Sequence, residues 1–128
     1  MNIAVQSVID VHTLIENIFT GNNLENDLGD LLAHFDDNFA MVTINGDRIG
    51  LAQVTSLFTH NIGTRPSLKI KLHDLKLVLE SSNYCWVQYQ EQHQTQDDDT
   101  LRISTACIRI EEDRCFWVYL HETPVRVK

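Results

Sequence analysis

The chain has 128 residues and a formal net charge of −8 with histidine neutral, a length that fits one domain, residues 1–128, able to bury roughly two-thirds of its unfolded surface without a disulfide or metal staple. The acid excess excludes nucleic acid as a partner, because phosphate neutralisation needs clustered Lys and Arg, and no apolar run reaches the length of a membrane span. Cys85, Cys107 and Cys115, an odd count without a C-x-x-C, fit reduced thiols in a cytoplasmic protein, and the first residues lack the basic and apolar regions of a signal peptide.

Val5, Val8, Ile9, His12, Ile15 and Phe19 recur at three- and four-residue spacing, which predicts a first helix with one apolar stripe, ended by Gly21. Asn22 or Asn23 can cap a second helix, whose Glu25 and Asp27 suit its positive end and whose buried face is Leu24, Leu28, Leu31, Leu32 and Phe35. Phe39 to Ile44 reads as a strand, closed by the turn Asn45-Gly46-Asp47. A short helix follows, with Leu51, Val54, Leu57 and Phe58 on one side, and Gly63-Thr64-Arg65-Pro66 breaks it.

From there the period changes to two. Leu68, Ile70 and Leu72 alternate with Lys69, Lys71 and His73, and the alternation restarts after Asp74 at Leu75, Leu77 and Leu79. Long strands are expected over Tyr84–Thr95, Leu101–Glu111 and Cys115–Thr123, joined by turns at Asp97–Asp99 and Glu112–Arg114. Helices, a strand, a short helix and then an antiparallel meander make an α+β fold with helices packed on one face of a curved, mostly antiparallel sheet.

Three groups of residues can carry chemistry. His12 lies in the apolar stripe of the first helix, one turn from Glu16, and can act there as a hydrogen-bond donor, a general base or a satisfied core histidine. Tyr89, Glu91 and His93 share one strand face, and Arg102 and Ser104 share a face of the next. Together they can bind a polar ligand group or form an ion pair that orders the sheet. In the closing strand, His121 and Glu122 point to opposite faces, and simple alternation aligns His121 with Trp117 and Tyr119, and Glu122 with Val118 and Leu120. His121 is the candidate ligand residue of the two. No histidine pair has the spacing of a metal site, the Asp97–Asp99 run lacks that of a calcium loop, and there is no G-x-S-x-G; no cofactor is expected.

The stretches "LLAHFDDNFAMVTINGDRIG", "GTRPSLKIKLHDLKL", "WVQYQEQH", "RISTACIRI" and "WVYLHET" resemble the nuclear-transport-factor-2-like cone fold, and within it the SnoaL-like and ketosteroid-isomerase-like group of small bacterial proteins. The resemblance covers most of the chain from Leu31 onward. It implies a cone with a pocket between helices and concave sheet, and a homodimer paired through the sheets. The pattern Tyr-x-Glu followed by Arg-x-Ser is also similar to members of this group. The isomerases carry a carboxylate base near the end of the first strand, whereas Ala40–Gly46 contains no Asp or Glu, so their roles do not transfer. The expected ligand is a small, largely apolar molecule with a polar end, contacted by His12, Tyr89, Glu91, Arg102 and His121. The alternative is a non-catalytic assembly module with a filled pocket, paired through Trp86, Gln88, Gln90, Thr105, Trp117 and Tyr119.

Overall fold

The computed structural model describes residues 2–22 and 26–125. Its elements are α1 (Ile3–Thr20), α2 (Asp27–Leu32), β1 (Phe35–Val42), β2 (Arg48–Gly50), α3 (Leu51–His60), β3 (Lys69–Ser81), β4 (Tyr84–Gln94), β5 (Asp99–Glu111) and β6 (Arg114–Pro124). The six strands form one sheet in the order β2-β1-β6-β5-β4-β3. All neighbouring pairs are antiparallel except β1 with β6, which gives the expected α+β architecture with helices against a curved sheet.

α1 begins at Asn2, whose side chain accepts from the backbone N–H groups of Ala4 and Val5, two donors that the first turn otherwise leaves unpaired. It ends at Gly21, whose φ of 80° a side chain would strain. The last carbonyls of α1 are then used by the loop after α3. Gly63 N–H donates to the Ile18 carbonyl and Arg65 N–H to that of Phe19. Gly21 and Gly63 come so close that a Cβ on Gly21 would sit 3.2 Å from the Gly63 Cα. This backbone contact fixes where Arg65 stands.

α2 starts later than the sequence suggests: its N-cap is Asn26, without a side-chain cap bond, and Asn23, Leu24 and Glu25 lie outside the described residues. Phe35 is not on this helix. It is the first residue of β1, which therefore starts four residues before Phe39 and stops at Val42. The β1–β6 register shifts between Phe35 and Ala40, and that irregularity breaks the alternation that would have revealed the longer strand. β3 runs unbroken through Asp74, whose φ of 53° marks a bulge where the sequence suggests a restart.

The decisive irregularity is in β6. Ile108 pairs with Trp117 and Cys107 with Tyr119, so Val118 is an extra residue. Such a bulge inverts the phase of everything beyond it. Trp117 is buried on the concave face, opposite Ile108. Tyr119, two residues on, falls in the same cross-strand row as Cys107 and Trp86, on the outer face. The core between α1, α3 and the concave face is built from Ala4, Val8, Val11, Ile18, Val54, Val87, Ala106 and Ile108 among others. Among the described residues no helix is long and apolar enough to cross a membrane.

Candidate functional site

A cavity of about 480 Å³ opens between the helices and the concave face, within the usual size of small-molecule sites, roughly 300–1,000 Å³. Its walls are apolar: Ile15 and Phe19 from α1, Phe39 and Met41 from β1, Val54 and Phe58 from α3, Trp117 and Leu120 from β6. The β1–β2 turn supplies Thr43, Asn45 and Asp47, and the last two are exposed, so solvent enters on this side. The remaining polar lining is Gln53 from α3 and the cluster His12, Arg65, Glu91, His93, Arg102 and Glu122.

Cross-strand register explains the cluster. Tyr89 stands opposite Ser104 and Ser104 opposite Glu122, while Glu91 stands opposite Arg102. Period-two alternation turns all of them, and His93, to the concave face. His12 comes down on them from α1. Its Nδ1 donates to the Val8 carbonyl at 2.7 Å and its Nε2 to Glu91 Oε1 at 2.9 Å. Carbonyl and carboxylate oxygens only accept, so both ring nitrogens carry hydrogen and the ring is the imidazolium. The other Glu91 oxygen takes the Nε2–H of His93, and Arg65 donates to His93 Nδ1 at 3.4 Å.

Burial alone would lower the His12 pKa, but the Glu91 charge, its hydrogen bond and the Val8 carbonyl together raise it above 6.5. Burial alone would raise that of Glu91, yet the His12 charge and the hydrogen bonds from both imidazoles hold it well below the usual carboxylate range. Glu122 behaves oppositely. Burial and the neighbouring Glu91 charge raise it, and Arg102, 3.3 Å away, offsets that only in part. Two carboxylates in one cavity are thus pushed in opposite directions, the pattern that separates a fixed charge from a group able to exchange a proton.

Of the five expected ligand residues, His12, Glu91 and Arg102 line the cavity. Tyr89 does not. It is buried beneath the site, edge-on to the His12 ring at 5.2 Å between centroids. Its hydroxyl and that of Ser104 are buried without a hydrogen-bond partner among the described residues. His121 is a correction: it is exposed on the outer face, its Nδ1 3.0 Å from the Tyr119 hydroxyl, because the Val118 bulge separates its phase from that of Trp117. Glu122 looks inward instead. Trp117 leaves the supposed pairing surface for the cavity wall, where its Nε1–H donates to Ser7 Oγ at 2.8 Å. Glu16 serves β3, accepting from the Ile70 N–H at 2.7 Å. Sequence reasoning missed Arg65, which no periodicity marks in a loop. It also left His93 off the ligand set although its parity with Glu91 was visible.

No protein-family model matches the sequence, and no curated protein matches it significantly. Solved structures do. An NTF-2-like protein of unknown function from Pseudomonas aeruginosa superposes with a TM-score of 0.94 at 25% identity, covering 98% of this chain and 100% of that one. This chain belongs to the NTF2-like superfamily. A candidate dehydratase of the NTF2-like family from Streptomyces avermitilis (TM-score 0.74, 15% identity, 97% of each chain) shares the fold. So does the CamKII hub homology domain of Chlamydomonas reinhardtii (TM-score 0.73, 15% identity, 98% of this chain and 100% of that one).

Proposed function

We propose that this NTF2-like protein binds a small, largely apolar molecule with one polar end in its cone. The observation that carries this reading is the juxtaposition of apolar walls with one buried polar cluster in a single open cavity. His12, Glu91, Arg102 and Glu122 meet the polar end, and Tyr89 supports the His12 ring from below. Where the bound molecule is also turned over, Glu122 moves the proton. Both nitrogens of His12 are already engaged and both oxygens of Glu91 hold imidazoles, so neither is free to do so. Kinship with the SnoaL-like and ketosteroid-isomerase-like group is supported by the Tyr-x-Glu and Arg-x-Ser residues, which face each other as Tyr89–Ser104 and Glu91–Arg102. No carboxylate stands at the end of β1, whose Asp36 and Asp37 lie at its start, and this argues against the isomerase reaction itself.

We also propose a homodimer through the outer sheet face, where Trp86, Gln88, Gln90, Thr105 and Tyr119 stand beside exposed Leu79 and Ile103. The likeness to a hub homology domain supports assembly as a second role compatible with the first. Free Cys85, Cys107 and Cys115 suit a reducing cytoplasm. Native mass spectrometry of the purified protein tests both parts. A dimer mass with a retained small molecule supports them; a monomer removes the sheet pairing. Absence of any adduct after incubation with amphipathic small molecules removes the binding role.

A further inference from the structure

The polar cluster is not evenly charged. Arg65, Arg102 and the His12 imidazolium face the cavity against Glu91 and Glu122, while Asp47 is exposed on the turn at its mouth. Glu91 is committed to two histidines. Among the described residues Arg65 has no carboxylate partner and lies over the Phe19 ring, 5.8 Å from its centroid. Among the same residues Arg102 makes a single polar side-chain contact, one guanidinium nitrogen to Glu122 at 3.3 Å. That leaves a planar fork of donors mostly unused beside apolar walls, in a protein whose overall charge repels anions. A fork of this kind is matched best by a carboxylate that can engage two of its nitrogens.

We propose that the cavity receives a small apolar carboxylate whose anionic head takes the place of Glu122 on the Arg102 guanidinium, Glu122 taking up one proton from solvent as it gives that site up. The inference rests on the binding role proposed above and names the ligand class. Charge balance requires the proton. An ionised Glu122 without Arg102 would be buried next to both Glu91 and the incoming carboxylate, facing otherwise only the buried Tyr89 and the His12 cation already shared with Glu91. Its environment already favours the protonated form through burial and the Glu91 charge. Binding and protonation are then linked, each favouring the other by the same factor.

Titration calorimetry with octanoate and naphthylacetate, against the neutral probes octanol and naphthylethanol, tests this. The carboxylates are expected to bind more tightly, with uptake approaching one proton per ligand when buffers of different ionisation enthalpy are compared. Their affinity should fall about tenfold per pH unit above the Glu122 pKa of the free protein. Glu122→Gln should flatten that dependence, and Arg102→Gln should weaken carboxylates by about 10- to 100-fold and the alcohols by much less, with an unchanged circular dichroism spectrum showing that the variant is folded. Binding of the alcohols but not the carboxylates, or carboxylate binding without proton uptake, overturns the inference and leaves the cavity role standing. Failure of all four probes overturns both.

Discussion

Glu122 looks into the cone and His121, its neighbour in the chain, looks out. The first pairs with Arg102 in the cavity wall, and the second meets Tyr119 on the outer face. One inserted residue, Val118, decides which of the two belongs to the site. His121→Ala should therefore leave ligand affinity unchanged within about twofold, whereas Glu122→Ala should change both affinity and its pH dependence. Calorimetry on the two variants checks this, and a larger effect at His121 would contradict the placement.

The His12–Glu91 pair is buried, the imidazolium donating one N–H to Glu91 and the other to the Val8 carbonyl. Glu91→Leu should destabilise the protein by about 3–5 kcal/mol, because it leaves the His12 cation uncompensated. Adding His12→Leu should recover much of that loss, since an apolar pair of similar volume replaces an ion pair at little cost. Urea denaturation of the single and double variants measures the coupling, and additive losses would refute it.

The same pair sets a pH window. His12 is raised in the fold, so its contribution is complete below 6.5 and lost as pH rises through its folded value. Glu91 is depressed, so its contribution is complete above 4.5 and lost as pH falls through its folded value. The stability difference between the parent protein and the His12→Leu, Glu91→Leu variant should be greatest between pH 4.5 and 6.5 and shrink on both sides. A difference flat from pH 3 to pH 9 would contradict the ion pair (roughly two units beyond each bound suffices to see it).

Much of this was legible beforehand. The helical stripe of α1, the period-two strands and the hairpin turns follow from side-chain spacing, so the α+β fold was readable. That Glu91 and Arg102 belong to one cross-strand cluster was readable because β4 and β5 pair without a register shift, since simple parity holds wherever a ladder is regular, but which face is concave was not. Parity fails at Val118, where a bulge leaves no mark in residue type, and at Asp74, where the break in alternation was visible but read as a restart and not as a bulge within one strand. Phe35 was hidden for the same reason, since the β1–β6 register shifts just after it. Arg65 depends on the tertiary contact between the Gly63 loop and the end of α1, which no local pattern encodes.

The two tryptophans stand on opposite faces, Trp117 buried at the cavity and Trp86 on the outside of the sheet. In Trp86→Phe the remaining fluorescence should respond to ligand and not to protein concentration. In Trp117→Phe it should respond to dimer dissociation and not to ligand. Trp117→Phe also removes the bond to Ser7 and should cost about 1–3 kcal/mol. Ligand response from Trp86 alone would contradict the assignment of faces.

Ile103, exposed in the middle of the outer face, provides the test of pairing. Ile103→Asp places a charge where an apolar contact is proposed and should shift the sedimentation equilibrium toward monomer by about 2 kcal/mol or more. An unchanged dimer would move the interface elsewhere.

The most direct test of the central claim is ligand-induced stabilisation in a narrowed cone. Leu120 lines the cavity opposite Ala106, and Leu120→Trp would push a larger ring into it. The melting temperatures of the parent protein and of Leu120→Trp are measured with saturating naphthylacetate and naphthylethanol. The account predicts a rise of several degrees in the parent protein and a clearly smaller one in the narrowed variant. Equal rises in both, or no rise in either, would contradict a ligand site in the cone.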